Sequence, residues 1–170
     1  KLRLILGDQL NSAHSWFAEI DENTIYLMAE MRQETDYVKH HIQKIVAFFL
    51  SMRNFATSLK ANGHNVLYFK ISDKENLHEL ENIILKCIEA HQIELFEYQF
   101  PDEYRLDEQL KIICHQLQIA SKAYDSEHFF TQRNDLADFF QGKKQLLMES
   151  FYRDMRKKHD YLMNANQPEG

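Results

Sequence analysis

"LRLILGDQLN", residues 2–11, is the stretch whose reading decides the fold. Apolar Leu2, Leu4, Ile5 and Leu6 run into Gly-Asp-Gln-Leu-Asn, as a first strand does when it delivers a loop to a binding crevice. Dinucleotide-binding domains place a glycine-rich phosphate cradle at this turn. Here a single glycine, Gly7, is followed by an acid, Asp8. The ligand that suits such a loop accepts a carboxylate and an amide where a phosphate usually sits.

Outward from this turn, strand and helix signals alternate. "LRLILG" (2–7), "TIYLMAE" (24–30), "NVLYFKIS" (65–72), "IELFEYQF" (93–100) and "IASKAYD" (119–125) are short, apolar and rich in β-branched or aromatic residues, and read as strands. One helix is expected over 36–62, because Val38, Ile42, Ile45, Phe49, Met52, Ala56 and Leu59 recur at steps of three and four. Thr35 or Asp36 can cap its start, and Gly63 suits its end. Further helices are expected over 77–93, 102–118 and about 145–162. Strands separated by helices imply an α/β fold, an open doubly wound, Rossmann-like parallel five-stranded sheet in the order 3-2-1-4-5 flanked by helices. Ligands bind such sheets beyond the carboxyl ends of the strands, where the order reverses. Three loops meet there: "GDQLNSAHS" (7–15), "AEMRQETDY" (29–37) and "FPDEYR" (100–105). The tail "NANQPEG" (164–170) reads as a linker or cut end.

At 170 residues the chain fits one domain with a sizeable core. No apolar run is long enough to span a bilayer, and the opening residues read as a strand rather than a signal peptide. Cys87 and Cys114 read as buried free thiols in keeping with a reducing cytoplasm, without the spacing of a metal site. A formal net charge of -6 argues against the domain as a whole gripping nucleic acid.

The three loops carry Asp8, Glu30, Glu34, Asp102 and Glu103. These repel a phosphate but suit hydroxyls and ring N–H groups; they serve equally well as solvated loop residues and helix caps. In "ETDYVKHHIQKIVAFF" (34–49), Tyr37, His41, Lys44 and Phe48 share a helix face, with His40 one position off. Such a face offers rings for stacking and donors for carbonyls, or is simply a polar seam beside the core. Adjacent histidines are a poor metal signature, and no catalytic constellation stands out.

"LGDQLN" (6–11), "YVKHHIQKIVAFFLSMRNFA" (37–56), "GHNVLYFKI" (63–71) and "MESFYRDMRKKHDYLMNANQPEG" (148–170), taken in order, resemble the deoxyribodipyrimidine photolyase-related proteins. These are prokaryotic (6-4) photolyases and cryptochromes that carry an iron–sulfur cluster. The resemblance covers residues 2–170 and implies an N-terminal antenna domain of a DNA-repair flavoprotein. The implied pigment is 6,7-dimethyl-8-ribityllumazine, with Gly7, Asp8, Gln9, Glu30, Glu34, Tyr37, His41, Lys44 and Phe48 in its pocket. Phe48 either stacks on the pigment or fills part of the site. FAD and the cluster belong to a C-terminal part absent from this chain, damaged DNA is a partner of the whole protein, and this piece alone is inactive. A small-molecule or nucleotide-binding module acting as a sensor is the alternative. The final helix carries Arg153, Arg156, Lys157 and Lys158 beside Leu147, Phe151 and Met155. It is either an ordinary amphipathic helix or a face for the flavin domain, through which the isolated piece self-associates.

Overall fold

The computed structural model describes residues 1–36, 38–164 and 167–168; Tyr37 and part of the tail 164–170 lie outside the described residues. Two compact units emerge, Lys1–Ser126 and Glu127–Gly170. The first holds a five-stranded sheet: β1 (Leu2–Leu4), β2 (Ile25–Ala29), β3 (Asn65–Phe69), β4 (Leu95–Gln99) and β5 (Ala120–Tyr124). Its order is β3-β2-β1-β4-β5, as expected, and every pairing is parallel.

Side chains alternate across a strand, so each face of the sheet needs its own apolar cover. On one face Leu2, Leu4, Leu27, Ala29 and Phe96 pack with Leu80, Ile83, Ile84 and Cys87 of α3 (Leu80–His91) and Leu106, Leu110 and Ile113 of α4 (Tyr104–Gln116). On the other, Ile5, Tyr26, Met28 and Val66 pack with Trp16 and with Phe49, Met52, Ala56 and Leu59 of α2 (Ile42–Ala61). Trp16 sits in a 3-10 turn, Ser15–Phe17, whose cap is His14.

The expected helix over 36–62 is broken. A short α1 (Arg32–Asp36) precedes it, and α2 begins only at Ile42. His41 is extended (ψ 136°), and its ring nitrogen Nδ1 accepts the Gln43 amide at 3.2 Å, starting a new helix. Val38 and Ile42, expected in the core stripe, are exposed, while Phe49, Met52, Ala56 and Leu59 are buried. Gly63 does end the helix. With φ +94°, it donates to Lys60 O and lets His64 donate to Leu59 O, both at 3.0 Å, which satisfies carbonyls left open by the last turn.

Buried acids in this unit are paired. Glu97 in β4 accepts from Arg3 Nε and from the Tyr124 hydroxyl, each at 2.7 Å. The second unit contains α5 (Asp135–Phe140), α6 (Met148–His159) and two short antiparallel strands, β6 (Met163–Asn164) and β7 (Gln167–Pro168). Asn164 of β6 and all of β7 fall in the tail 164–170 read as a linker or cut end. Phe151 is buried against Phe139 and Phe140, and Lys158 pairs with Asp135 at 3.0 Å. Tyr152, Leu146, Leu147 and Leu162 are exposed. Among the described residues, no helix is long and apolar enough to cross a membrane, both cysteines are free, and no group of side chains is arranged to hold a metal ion.

Candidate functional site

A cavity of about 200 Å³ opens at the carboxyl ends of β1 and β2. Its floor is apolar: Leu4, Leu6, Ala29, Ile83 and Leu106 are all buried. The rim is polar, with Asp8, Glu34 and Glu103 on one side and His40 and Lys44 contributed from the α2 side. Pockets for drug-sized ligands run to roughly 300–1,000 Å³. This one is smaller.

Gly7, Asp8, Glu34, Lys44 and Phe48 all line this cavity. A Cβ at Gly7 would fall on ring atoms Cζ and Cε1 of Phe48 and 2.9 Å from Met52 Sδ. The glycine thus permits the close approach of the Phe48 ring.

Gln9, Glu30 and His41 are placed elsewhere. Gln9 is buried across the crevice between β1 and β4. Its Oε1 accepts the Leu6 amide at 3.0 Å, and its Nε2 donates to Gln99 O at 3.2 Å and Phe100 O at 3.4 Å. It staples the strands at the point where their order reverses, so the cavity lies to the β2 side of that point. Glu30 is fully buried. It accepts from Arg53 at 2.6 and 2.8 Å, from the Tyr68 hydroxyl at 2.7 Å and from the Ile71 amide at 2.9 Å. Burial works against its ionisation, but Arg53, Ile71 N–H and Tyr68 hold its carboxyl below the usual range. His41 caps α2, and His40, one position off the expected face, stands on the wall, 3.3 Å from Lys44 Nζ. Tyr37 lies outside the described residues.

Glu103, on the cavity rim, and Arg105, which pairs with Glu103 and with Glu34, lie outside the set of pocket residues that the resemblance implies. Arg105 Nε donates to Glu103 at 2.9 Å, and its Nη2 reaches Glu103 at 3.3 Å and Glu34 at 3.2 and 3.4 Å. Glu34 titrates above the usual carboxylate range. Burial is the main cause; Arg105 pulls the other way, while the charges of Glu103 and Asp8 add to the rise. The signal for Arg105 is chemical but shared with Arg32: an arginine in a cluster of loop acids finds a carboxylate partner. For Glu30 the signal was period two, which places it with Tyr26 and Met28 on the α2 face.

Fold and cavity together define an open, doubly wound α/β domain of the Rossmann-like class, with a small apolar cavity and an acidic rim at the strand ends. Within that class the chain belongs to the deoxyribodipyrimidine photo-lyase-related protein family, which it matches over residues 3–170. It is also 32% identical over 172 residues to the "(6-4) photolyase" of Agrobacterium fabrum (strain C58 / ATCC 33970), covering 100% of this chain and 34% of that protein. The chain spans about a third of the length of that relative.

Proposed function

We propose that this chain is the antenna part of a light-driven DNA-repair flavoprotein and that its cavity holds 6,7-dimethyl-8-ribityllumazine. The observation that carries the reading is the pairing of an apolar floor with an acidic rim where a phosphate cradle is lacking. A flat ring suits the floor formed by Leu4, Leu6, Ala29 and Ile83. Carboxylates of Asp8, Glu34 and Glu103 accept hydrogen bonds from ribityl hydroxyls, while Lys44 and His40 face the side where ring carbonyls can be met. A bound pigment would absorb light and pass excitation to a flavin held outside residues 1–170. The flavin, an iron–sulfur cluster and the contact with damaged DNA belong, on this reading, to the longer protein implied by the 34% coverage of the relative. The exposed side chains of the Glu127–Gly170 unit then face that flavin-bearing part. In its absence they drive self-association of this chain, in a cytoplasmic setting.

Titration of the 170-residue chain with lumazine and with FAD, followed by fluorescence, tests the proposal. Lumazine binds and FAD does not; tight FAD binding without a lumazine response would replace this reading with a nucleotide-binding sensor. Asp8→Ala and Glu34→Ala each remove a charge-assisted hydrogen bond, worth about 1.5–3 kcal/mol, and weaken lumazine binding roughly tenfold to a hundredfold. Unaltered affinity in both variants would move the pigment elsewhere.

A further inference from the structure

We propose that Arg105, clamped by Glu34 and Glu103, sets the choice of this cavity between ligands that end in a hydroxyl and ligands that end in a phosphate. The inference deepens the reading of the cavity as a ribityl-pigment site. Three observations support it. The floor is apolar and buried while the charged groups stand at the rim, so a ring entering the floor leaves the end of its side chain among Asp8, Glu34 and Glu103, the last two of which hold the Arg105 guanidinium. Arg105 directs Nε and Nη2 at Glu103 and Nη2 at Glu34, which places two carboxylates against one guanidinium. The carboxylates that hold that guanidinium are Glu34 from α1 and Glu103 from the turn into α4; Asp8 from the turn after β1, His40 and Lys44 line the same cavity as these two acids.

An arginine so held does not act as the phosphate fork that guanidinium groups form elsewhere. Its charge is offset by the acids that hold it. A phosphate brought to this rim meets net negative charge, and like charges across an interface disfavour the complex. A hydroxyl meets acceptors and carries no such cost. Glu34 and Glu103 therefore act as the rejecting element and Arg105 as a latent phosphate site, which the acids keep closed. Discrimination of this kind comes from a repulsive group as much as from an attractive one.

The test uses riboflavin and its 5′-phosphate, two flat-ring ribityl compounds that differ by the phosphate alone, and inorganic phosphate as a ligand independent of either ring. In the unaltered chain riboflavin binds at least about tenfold more tightly than its phosphate at low salt, because the rim repels the anion. In the double variant Glu34→Gln, Glu103→Gln the preference reverses. Adding Arg105→Met to that double variant abolishes the gain for the phosphate form, and Arg105→Lys restores part of it. In parallel, the Arg105 side-chain N–H resonance of the unaltered chain ignores inorganic phosphate, whereas that of the double variant shifts saturably. A riboflavin-to-phosphate affinity ratio that is the same in the unaltered chain and the double variant overturns the proposal, as does a double variant indifferent to inorganic phosphate. If neither flavin nor lumazine binds the unaltered chain but the phosphate response appears in the double variant only, the pigment reading fails and the role of Arg105 stands. Circular dichroism of each variant confirms that the half-exposed rim has been altered without unfolding.

Discussion

Two glutamates four positions apart behave in opposite ways because the fold gives them opposite surroundings. Glu30 is fully buried and held by Arg53, Tyr68 and the Ile71 amide, which keep its carboxyl low despite burial. A carboxyl with a depressed pKa contributes stability above its unfolded value and loses it as pH falls through the folded one. Glu34 has a raised carboxyl, so its ionisation costs stability as pH rises from the ordinary carboxylate value through the raised one. Urea denaturation across the acid range separates them. Glu30→Gln lowers stability at pH 7 by about 2–3 kcal/mol, the scale of hydrogen bonds to a charged group. Glu34→Gln leaves stability at pH 7 unchanged or higher and flattens its fall with pH above the carboxylate range. A second residue-scale prediction concerns Gly7. An added methyl collides with the Phe48 ring and Met52, and overpacking of this kind costs about 1–3 kcal/mol. Gly7→Ala should lower the melting temperature, and Phe48→Ala in the same chain should recover most of the loss. If Phe48→Ala recovers nothing, the close approach is not what the glycine serves.

At the scale of elements, α2 carries Lys44 and Phe48 of the cavity wall and is set at both ends by local chemistry. Its start is set by His41, whose ring replaces the serine or aspartate usually found at this position. Its end is set by Gly63 in the left-handed region. Because the helix starts at Ile42, the phase of residues before it is independent of the phase after it. His40 rather than His41 therefore joins Lys44 and Phe48 on the cavity wall. Gly63→Ala forces an L-residue into the left-handed conformation and should cost about 1–2 kcal/mol. His41→Ala removes a single exposed cap bond and should cost about 0.5–1 kcal/mol. Denaturant titration with helical ellipticity as the probe measures both; a larger loss at His41 than at Gly63 would invert this ranking.

For the whole molecule, the division into two compact units makes a separable prediction. The cavity lining lies between residues 4 and 106, all within Lys1–Ser126. A chain ending at residue 126 should bind lumazine as tightly as the chain of 170 residues. The exposed Leu146, Leu147, Tyr152 and Leu162 belong to the other unit, in and on either side of α6, and exposed apolar groups gathered in one patch mark contact surfaces. Sedimentation of the 170-residue chain should therefore show concentration-dependent association that the shortened chain lacks and that Tyr152→Ser with Arg153→Glu abolishes. A monomer at all concentrations removes that surface from the account.

Sequence alone determined the strand order, the two helices that became α3 and α4, the glycine that ends α2 and the single glycine in the loop after β1. Each is a local or periodic property: alternation across a strand, spacing around a helix, the conformational range of one residue. Only the tertiary structure decided which polar groups reach the cavity. Asp8 and Gln9 are neighbours in the chain, yet one stands at the rim and the other staples β1 to β4. Glu30 and Glu34 leave the same strand, yet one is locked to Arg53 and the other meets Arg105, 71 positions away. A loop side chain's direction depends on where the chain turns and on what packs against it. Residues distant in the sequence settle both, so the pairing of Glu34 with Arg105 exists only once β2 and α4 have been brought together by the sheet.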